Sequence, residues 1–431
     1  MSDQPPVNKK QEPEETDAQR EGAREGRTIA QRREQMRKSR SAAMGGARRA
    51  VASTLAPVTR WWGPFRQKID ENSKWSLPLI GFVAVAIAAL LPFLGEFIEL
   101  PDWLARATSG SALSRVALFT LFALGLNVVV GFAGLLDLGY VAFWAIGAYT
   151  AGILSGAQTA TRCDQLGLGN CPDAEWNMFM WLIIPAAIVT ATIAGLILGS
   201  PTLRLRGDYL AIVTLGAGEI VRIVANNLDS ITGGPRGIRN IPHPAITIGD
   251  FNLEWGTLLD TKYYWLMLFF VVLWIIAIRM LDHSRIGRAW VAIREDEVAA
   301  AAMGVSIVRM KLAAFVIGAC TAGVGGVIYA QQVNFINPPT FSIIQSILIL
   351  TMVVVGGMGS IGGSILGAAI VVLLPEVFKE FEDYRFFFFG AALVVVMIFR
   401  PQGVLPSKRR KAELLGAAHD EGLYDAQHGG E

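Results

Sequence analysis

The amino-acid sequence predicts an all-α polytopic membrane protein with about ten transmembrane helices and with both termini in the cytoplasm. Its composition is 52% hydrophobic and only 17% charged, with a mean hydropathy of +0.43. This balance excludes a disordered, collagen-like, disulfide-framework or ordinary soluble protein. From residue 77 onward, apolar stretches recur that are close to the ~20 residues needed to cross a bilayer as a helix. Basic residues concentrate in alternate connections between these stretches.

The predicted transmembrane domain covers residues 77–405. Its expected spans are 77–97, 113–131, 136–156, 178–198, 209–226, 263–281, 312–331, 341–358, 361–377 and 386–400. The connections at 131–136 and 358–361 are so short that the helices beside them could be broken or re-entrant.

Charge distribution predicts the orientation. The loop 282–311 is basic, whereas 332–340 contains no Lys or Arg, which places the first inside and the second outside. Ten crossings put the N-terminus on the same side as the basic run Lys408-Arg409-Arg410-Lys411, which begins the C-terminal tail 406–431. Both ends are therefore predicted to be cytoplasmic.

Residues 1–75 form a separate, charged segment. They contain sixteen Lys or Arg and ten Asp or Glu, and they have few large apolar side chains before Trp61. Because such a segment cannot bury enough apolar surface to offset its ordering entropy, we expect a disordered cytoplasmic tail. Aromatic and basic residues mix at 60–68, which is typical of a segment at the lipid headgroup interface.

The outer loop 157–177 contains Cys163 and Cys171. Seven residues separate the two thiols, more than the two to four usual between metal-binding cysteines, so we expect no metal site there. A disulfide in an oxidising compartment and two free thiols both remain open.

Enzyme motifs are absent from the sequence. The four histidines are not at metal-ligand spacing, and no P-loop occurs, so we expect this chain to be a non-enzyme that binds no cofactor, metal or nucleic acid. We expect any ATP hydrolysis to take place on partner subunits.

Three charged residues at membrane depth are candidates for a solute pathway. Glu219 and Arg222 are three apart, so they share a helix face and can pair, either lining a path or forming a structural ion pair. Asp137 either contributes to a path or caps a helix that starts at Leu138 or Gly139, and capping is the preferred interpretation.

Glycines concentrate at the two short connections. Gly131 and Gly134 follow Val128-Val129-Val130, and Gly356 and Gly359 follow Val353-Val354-Val355, a weak internal repeat. Such glycines either allow tight helix packing or mark helices broken around a cavity.

The loop 282–311 contains a segment in which acidic residues precede alanines and a glycine. Its key residues are Arg294, Glu295, Asp296, Glu297, Ala300 and Gly304. Acids at the positive end and a glycine stop predict a short helix. It serves either as a docking element for a cytoplasmic partner or as an interfacial helix with no partner.

Three longer segments resemble a known family. Residues 125–143, 203–216 and 232–238 are similar to the LivM-type permeases of bacterial branched-chain amino-acid ABC importers. The resemblance implies an inner-membrane subunit that works with a LivH-like permease, two ATPase subunits and a periplasmic solute-binding protein. It also implies that 294–304 couples the permease to the ATPases, and that the solutes are leucine, isoleucine and valine, with urea or short amides as the alternative.

Two other functions remain open from the residues alone. An ion-coupled secondary transporter would need an intramembrane carboxylate, for which Asp137 and Glu219 are the candidates. A purely structural membrane subunit would need no coupling segment.

Overall fold

The structure of this chain is a computed structural model. It describes residues 85–86, 88–93, 105, 108–155, 180–202, 207–248, 251–254, 261–377, 390–391, 394 and 403–405. The predicted tails 1–75 and 406–431, the segment 60–68, and Cys163 and Cys171 lie outside the described residues. The expected tails, interfacial segment and disulfide therefore stay predictions.

The described part of the chain is mainly helical. Its α-helices are α1 (Gly110–Asn127), α2 (Tyr140–Ser155), α3 (Met180–Thr202), α4 (Asp208–Asn227), α5 (Asp229–Thr232), α6 (Thr261–Asp282), α7 (Arg285–Glu295), α8 (Glu297–Ala302), α9 (Ile307–Val333), α10 (Ile343–Gly356) and α11 (Ile361–Val377). Short 3-10 turns lie at Leu91–Phe93, Gly234–Arg236 and Pro338–Thr340, and a π-helical turn at Val128–Phe132 extends α1.

Length and composition identify the chain as a multi-pass α-helical membrane protein. Six helical segments in the described residues are long and apolar enough to cross a membrane, and α2 and α11 are shorter apolar helices. Together they correspond to eight of the predicted spans. The other two, 77–97 and 386–400, are described only at scattered positions.

Helix α9 lies at the centre of the bundle and packs against α2 and α3. Beside it, the Trp144 ring contacts Phe122, Tyr329 and Phe341 at centroid distances of 4.8, 5.1 and 5.4 Å. Tilted and edge-to-face ring pairs of this kind add to the energy of burial. They give the bundle a rigid aromatic core between α1, α2 and α9.

One end of the bundle contains short strands. Strand β1 (Ile238–Arg239) pairs antiparallel with β4 (Phe335–Ile336), and β2 (Ala245–Ile248) pairs with β3 (Phe251–Glu254). The register aligns Ile238 with Ile336 and Ala245 with Glu254. Ile238 and Ile336 are fully buried, so the first pair seals this end of the bundle. The opposite end contains the candidate site.

Candidate functional site

The first short connection is a true helix break. After α1 the chain makes the π-helical turn Val128–Phe132, in which the Ala133 amide donates to the Val128 carbonyl at 3.1 Å. Gly134 then has φ +72, a left-handed conformation that suits glycine, and no helix is present until Tyr140. π-turns inside helices occur often at functional sites.

Asp137 organises the start of α2. Its carboxylate is 1% exposed, and Oδ1 accepts a hydrogen bond from the Gly139 amide at 2.9 Å. The Leu138 amide donates to Thr214 Oγ1 of α4 at 3.1 Å, which holds the break against that helix. The helix itself begins at Tyr140, one residue later than the latest start predicted from sequence. The carboxylate thus binds the backbone ahead of the helix, a capping-type role.

The second short connection is also a break. Helix α10 ends at Gly356, α11 begins at Ile361, and Gly359 between them has φ +77. The last carbonyls of a helix lack donors from within it. Here the carbonyls of Val355 and Gly356 accept from the amides of Val404 and Leu405 at 2.8 and 2.9 Å. Backbone from beyond the last predicted span therefore closes this end of α10.

The two breaks meet. Asn127 Oδ1 accepts from the Gly359 amide at 2.8 Å, and Asn127 Nδ2 donates to the Ser360 carbonyl at 3.4 Å. A Cβ at Gly131 would overlap both Asn127 Oδ1 and the Gly359 amide nitrogen, and it would lie 2.9 Å from the Gly359 Cα. Only glycine lets the two segments approach this closely. We call Asn127, Gly131, Gly359 and Ser360 the break junction.

Gly131 and Gly359 were both predicted as site residues from the sequence, whereas Asn127 was not. The signal was present, because Asn127 is a polar side chain in the middle of an apolar span, and in the fold it is fully buried. What the sequence could not indicate was its partner, which lies 232 residues further along the chain.

Residues 283–306, between α6 and α9, contain two helices rather than one helix through 294–304, and we call this segment the α7–α8 loop. Arg294 and Glu295 end α7, and Asp296 interrupts the helix with φ −154 and ψ 111. The Asp296 carboxylate accepts from the amides of Val298 and Ala299 at 2.7 and 3.0 Å, so it is the N-cap of α8. The predicted helix with acids at its start and a glycine after its end is α8, and Gly304 has φ +84. Its bounds are shorter than predicted, because Asp296 caps α8 and leaves Arg294 and Glu295 in α7.

Buried polar contacts attach this loop to α9. Trp290 is 1% exposed, and its Nε1 donates to the Met310 carbonyl at 2.7 Å. Glu297 forms an ion pair with Lys311, whose side chain is only 3% exposed. A lysine this deeply buried is stable only when paired, which makes Glu297 a structural anchor of the loop.

The free face of α8 is largely apolar. Val298 in α8 and Met303 directly after it are 70% and 85% exposed, whereas Ala300 is buried. A rigid, outward-facing apolar surface at the end of a bundle is the kind of surface that protein partners cover.

Arg294 joins this loop to the first break. Its Nη1 donates to the Gly131 carbonyl at 2.7 Å, and a Cβ at Gly134 would lie 2.9 Å from the Arg294 Cγ. The guanidinium therefore binds the C-terminal end of the α1 π-turn, where a cation is favoured by the helix dipole. The structure thus brings together Arg294, Gly131, Gly134 and Gly359, residues from three separate sequence segments.

Glu219 and Arg222 lie elsewhere, near the middle of α4. Arg222 Nε donates to both carboxylate oxygens of Glu219 at 2.9 and 3.0 Å, and both side chains are partly exposed. They pair as the spacing predicts, on a helix whose outer face also exposes Ile220 and Ile223. The described residues contain no cluster of His, Cys, Asp or Glu that could hold a metal ion.

Comparisons with known proteins agree with this architecture. The family model described as "Branched-chain amino acid transport system / permease component" matches residues 110–397. The chain is 40% identical to the high-affinity branched-chain amino acid transport system permease protein LivM of Escherichia coli K12, across 82% of this chain and 83% of that protein. It is 41% identical to LivM of Salmonella typhimurium across 80% and 81% of the two chains.

A second type of permease is also similar. The permease protein LivH of E. coli K12 is 26% identical across 67% of this chain and 91% of LivH. No solved structure matches the chain significantly. The matched region contains the breaks, the break junction and the α7–α8 loop, and the chain belongs to the family of branched-chain amino-acid transport system permeases.

Proposed function

We propose that this chain is a permease subunit of an ATP-binding-cassette importer that moves leucine, isoleucine and valine into the cytoplasm. It would work in the bacterial inner membrane with ten spans and both termini cytoplasmic. Its partners would be a LivH-like permease, two ATPase subunits that use the ATP, and a periplasmic binding protein that delivers the solute. This chain itself would bind no cofactor.

The observation that carries the proposal is the α7–α8 loop. Trp290 and the Glu297–Lys311 pair attach it firmly to α9, while Val298 and Met303 face away from the bundle. A loop that is fixed to the membrane domain on one side and exposes apolar side chains on the other is suited to transfer force from a cytoplasmic partner. An ion-coupled transporter working alone has no need of such a surface.

The outer face of α4 supports pairing with a second permease. The charges of Glu219 and Arg222 lie within a candidate membrane span, where they are costly in lipid, so they should face protein or water. Their neighbours Ile220 and Ile223 are exposed, and a Cβ at Gly216 would meet nothing within 4 Å. We assign this face to the contact with the LivH-like subunit, where the ion pair borders the solute path.

The solute class follows from the names of the relatives and is tested directly. The importer, reconstituted in proteoliposomes with its binding protein and with ATP on the cytoplasmic side, should accumulate radiolabelled leucine. Unlabelled isoleucine and valine should compete with that uptake, and urea and acetamide should not. If urea or acetamide reduced the uptake and isoleucine and valine did not, the substrates would be small amides rather than branched-chain amino acids.

The docking surface has its own test. Met303→Glu places a charge directly after α8, in the exposed apolar surface that Met303 forms with Val298, and we expect the ATPases to be lost when the complex is purified. Ile286→Glu, an exposed apolar position on α7, is the matched control and should retain them. Retention of the ATPases by the Met303 variant would show that α8 is not the docking element.

A further inference from the structure

Two polar contacts join the α7–α8 loop to the start of α9. The Trp290 indole and the Glu297 carboxylate both bind residues of the first turn or two of α9, namely Met310 and Lys311. Because these contacts are buried, a push on α8 moves the start of α9 with it rather than bending the loop.

Arg294 connects this loop to a different part of the bundle. Its guanidinium donates to the carbonyl of Gly131, in the last turn of the α1 π-segment. Its side-chain stem lies over Gly134, where any larger residue would displace it. Carbonyls in the last turn of a helix have no donor further along that helix, so Arg294 supplies a bond that the backbone cannot.

Gly131 is in turn part of the break junction. It lies against Gly359, and the Asn127 amide four residues earlier holds the backbone at Gly359 and Ser360 through two hydrogen bonds. A shift of the Gly131 carbonyl therefore changes the space available to the second break. Both breaks are joined by side-chain and backbone hydrogen bonds rather than by continuous helix, so they can separate at modest cost.

We propose that Arg294 transmits movement of the α7–α8 loop to the break junction and so controls whether the two helix breaks stay in contact. This inference rests on the proposed function, since the movement comes from the ATPases. Arg294 is a positioning residue that acts through Gly131 and Asn127.

The test compares Arg294→Ala with Arg288→Ala in the complete importer. Arg288 is an exposed arginine of the same helix, and its guanidinium binds only the nearby His283 carbonyl among the contacts described. In Arg294→Ala we expect the ratio of leucine transported to ATP hydrolysed to fall about tenfold, which corresponds to the loss of one charge-assisted hydrogen bond. The ATPase rate and the assembly of the complex should be retained. The Arg288 variant should keep the wild-type ratio.

A second readout needs no solute. Hydrogen exchange of segments 125–137 and 356–362 should differ between nucleotide-free and vanadate-trapped wild-type complexes. In Arg294→Ala the loop 285–304 should still respond to nucleotide, whereas those two segments should not. If both segments respond as in wild type, the proposal is overturned, whatever the transport ratio.

The two proposals fail in different ways. A wild-type complex that hydrolyses ATP without taking up leucine refutes the proposed solute. The role of Arg294 is then decided by the hydrogen-exchange experiment, which needs no solute. Should Arg294→Ala not assemble, Arg294→Gln is measured instead, because it keeps a hydrogen-bonding side chain but loses the charge and reach. A wild-type exchange response in that variant also overturns the proposal.

Discussion

The substitution Gly131→Ala tests the break junction most sharply. The backbone of Gly131 is helical, so alanine brings no conformational strain there, and its effect comes from contact alone. The added methyl overlaps Asn127 Oδ1 and the Gly359 amide, so the two breaks must move apart. That movement loses the Asn127 bonds to Gly359 and Ser360.

The expected cost can be worked from these contacts. Two hydrogen bonds contribute about 1 kcal/mol each, and overpacking of a close contact costs roughly 1–3 kcal/mol. The sum is about 3–5 kcal/mol, equivalent to a fall of about 3–6 °C in melting temperature for a chain of this size. The measurement is thermal unfolding of the purified protein in detergent, followed by tryptophan fluorescence.

Gly216→Ala is the matched control. It lies inside α4 on the face assigned to the LivH-like subunit, and in this chain purified without that partner an added Cβ meets nothing within 4 Å. Alanine there should be neutral or stabilise by up to about 1 kcal/mol through helix propensity. A Gly131→Ala protein that melts with the wild type would refute the close contact between the breaks. Equal destabilisation by both variants would show that the effect is not specific to the junction.

Three further predictions concern charged residues. Glu297→Ala leaves buried Lys311 without its carboxylate and should destabilise the protein by about 3 kcal/mol, the lower end for a broken buried pair because Glu297 is itself partly exposed. Combining Glu297→Ala with Lys311→Met should recover most of that loss in the same melting assay. Asp137→Asn keeps the Oδ1 acceptor for the Gly139 amide and should retain ATP-dependent leucine uptake within about twofold. Glu219→Gln leaves Arg222 only a neutral acceptor beside the solute path, so uptake should be reduced but still depend on ATP. Complete loss of uptake in either variant, with an ion gradient able to drive transport in the wild type, would favour a secondary transporter. Asp296→Ala removes the α8 cap and should cost about 1 kcal/mol, with faster hydrogen exchange at 297–302 and unchanged exchange in α9 as the check.

Local features of the site were predictable because they depend on local physics. The short length of two glycine-rich connections indicated that the helices beside them could be broken, and helical spacing indicated that Glu219 and Arg222 could pair. The short helix with acids before alanines was also predictable. Its bounds were not, because Asp296 could either continue α7 or cap α8, and only the extended backbone at that residue decides.

Contacts between distant segments were not predictable in the same way. Nothing in a single sequence indicates that Trp290 binds the Met310 carbonyl or that Lys311 is buried against Glu297. A lysine near the start of a helix is normally interpreted as a solvent-exposed charge. Lys311 holds the loop to α9 only because the surrounding residues exclude water from it.

Sequence patterns were enough to predict the membrane class, eight of the apolar spans and the family of the chain, and they marked two connections where helices could break. These are properties of hydrophobic length, glycine placement and local motifs, which act over a few to a few tens of residues. The tertiary structure alone decided that the two breaks touch and that Arg294 reaches one of them. Those contacts join residues more than a hundred positions apart, and they exist only because close helix packing brings bare glycine backbone within hydrogen-bond distance of Asn127 and Arg294.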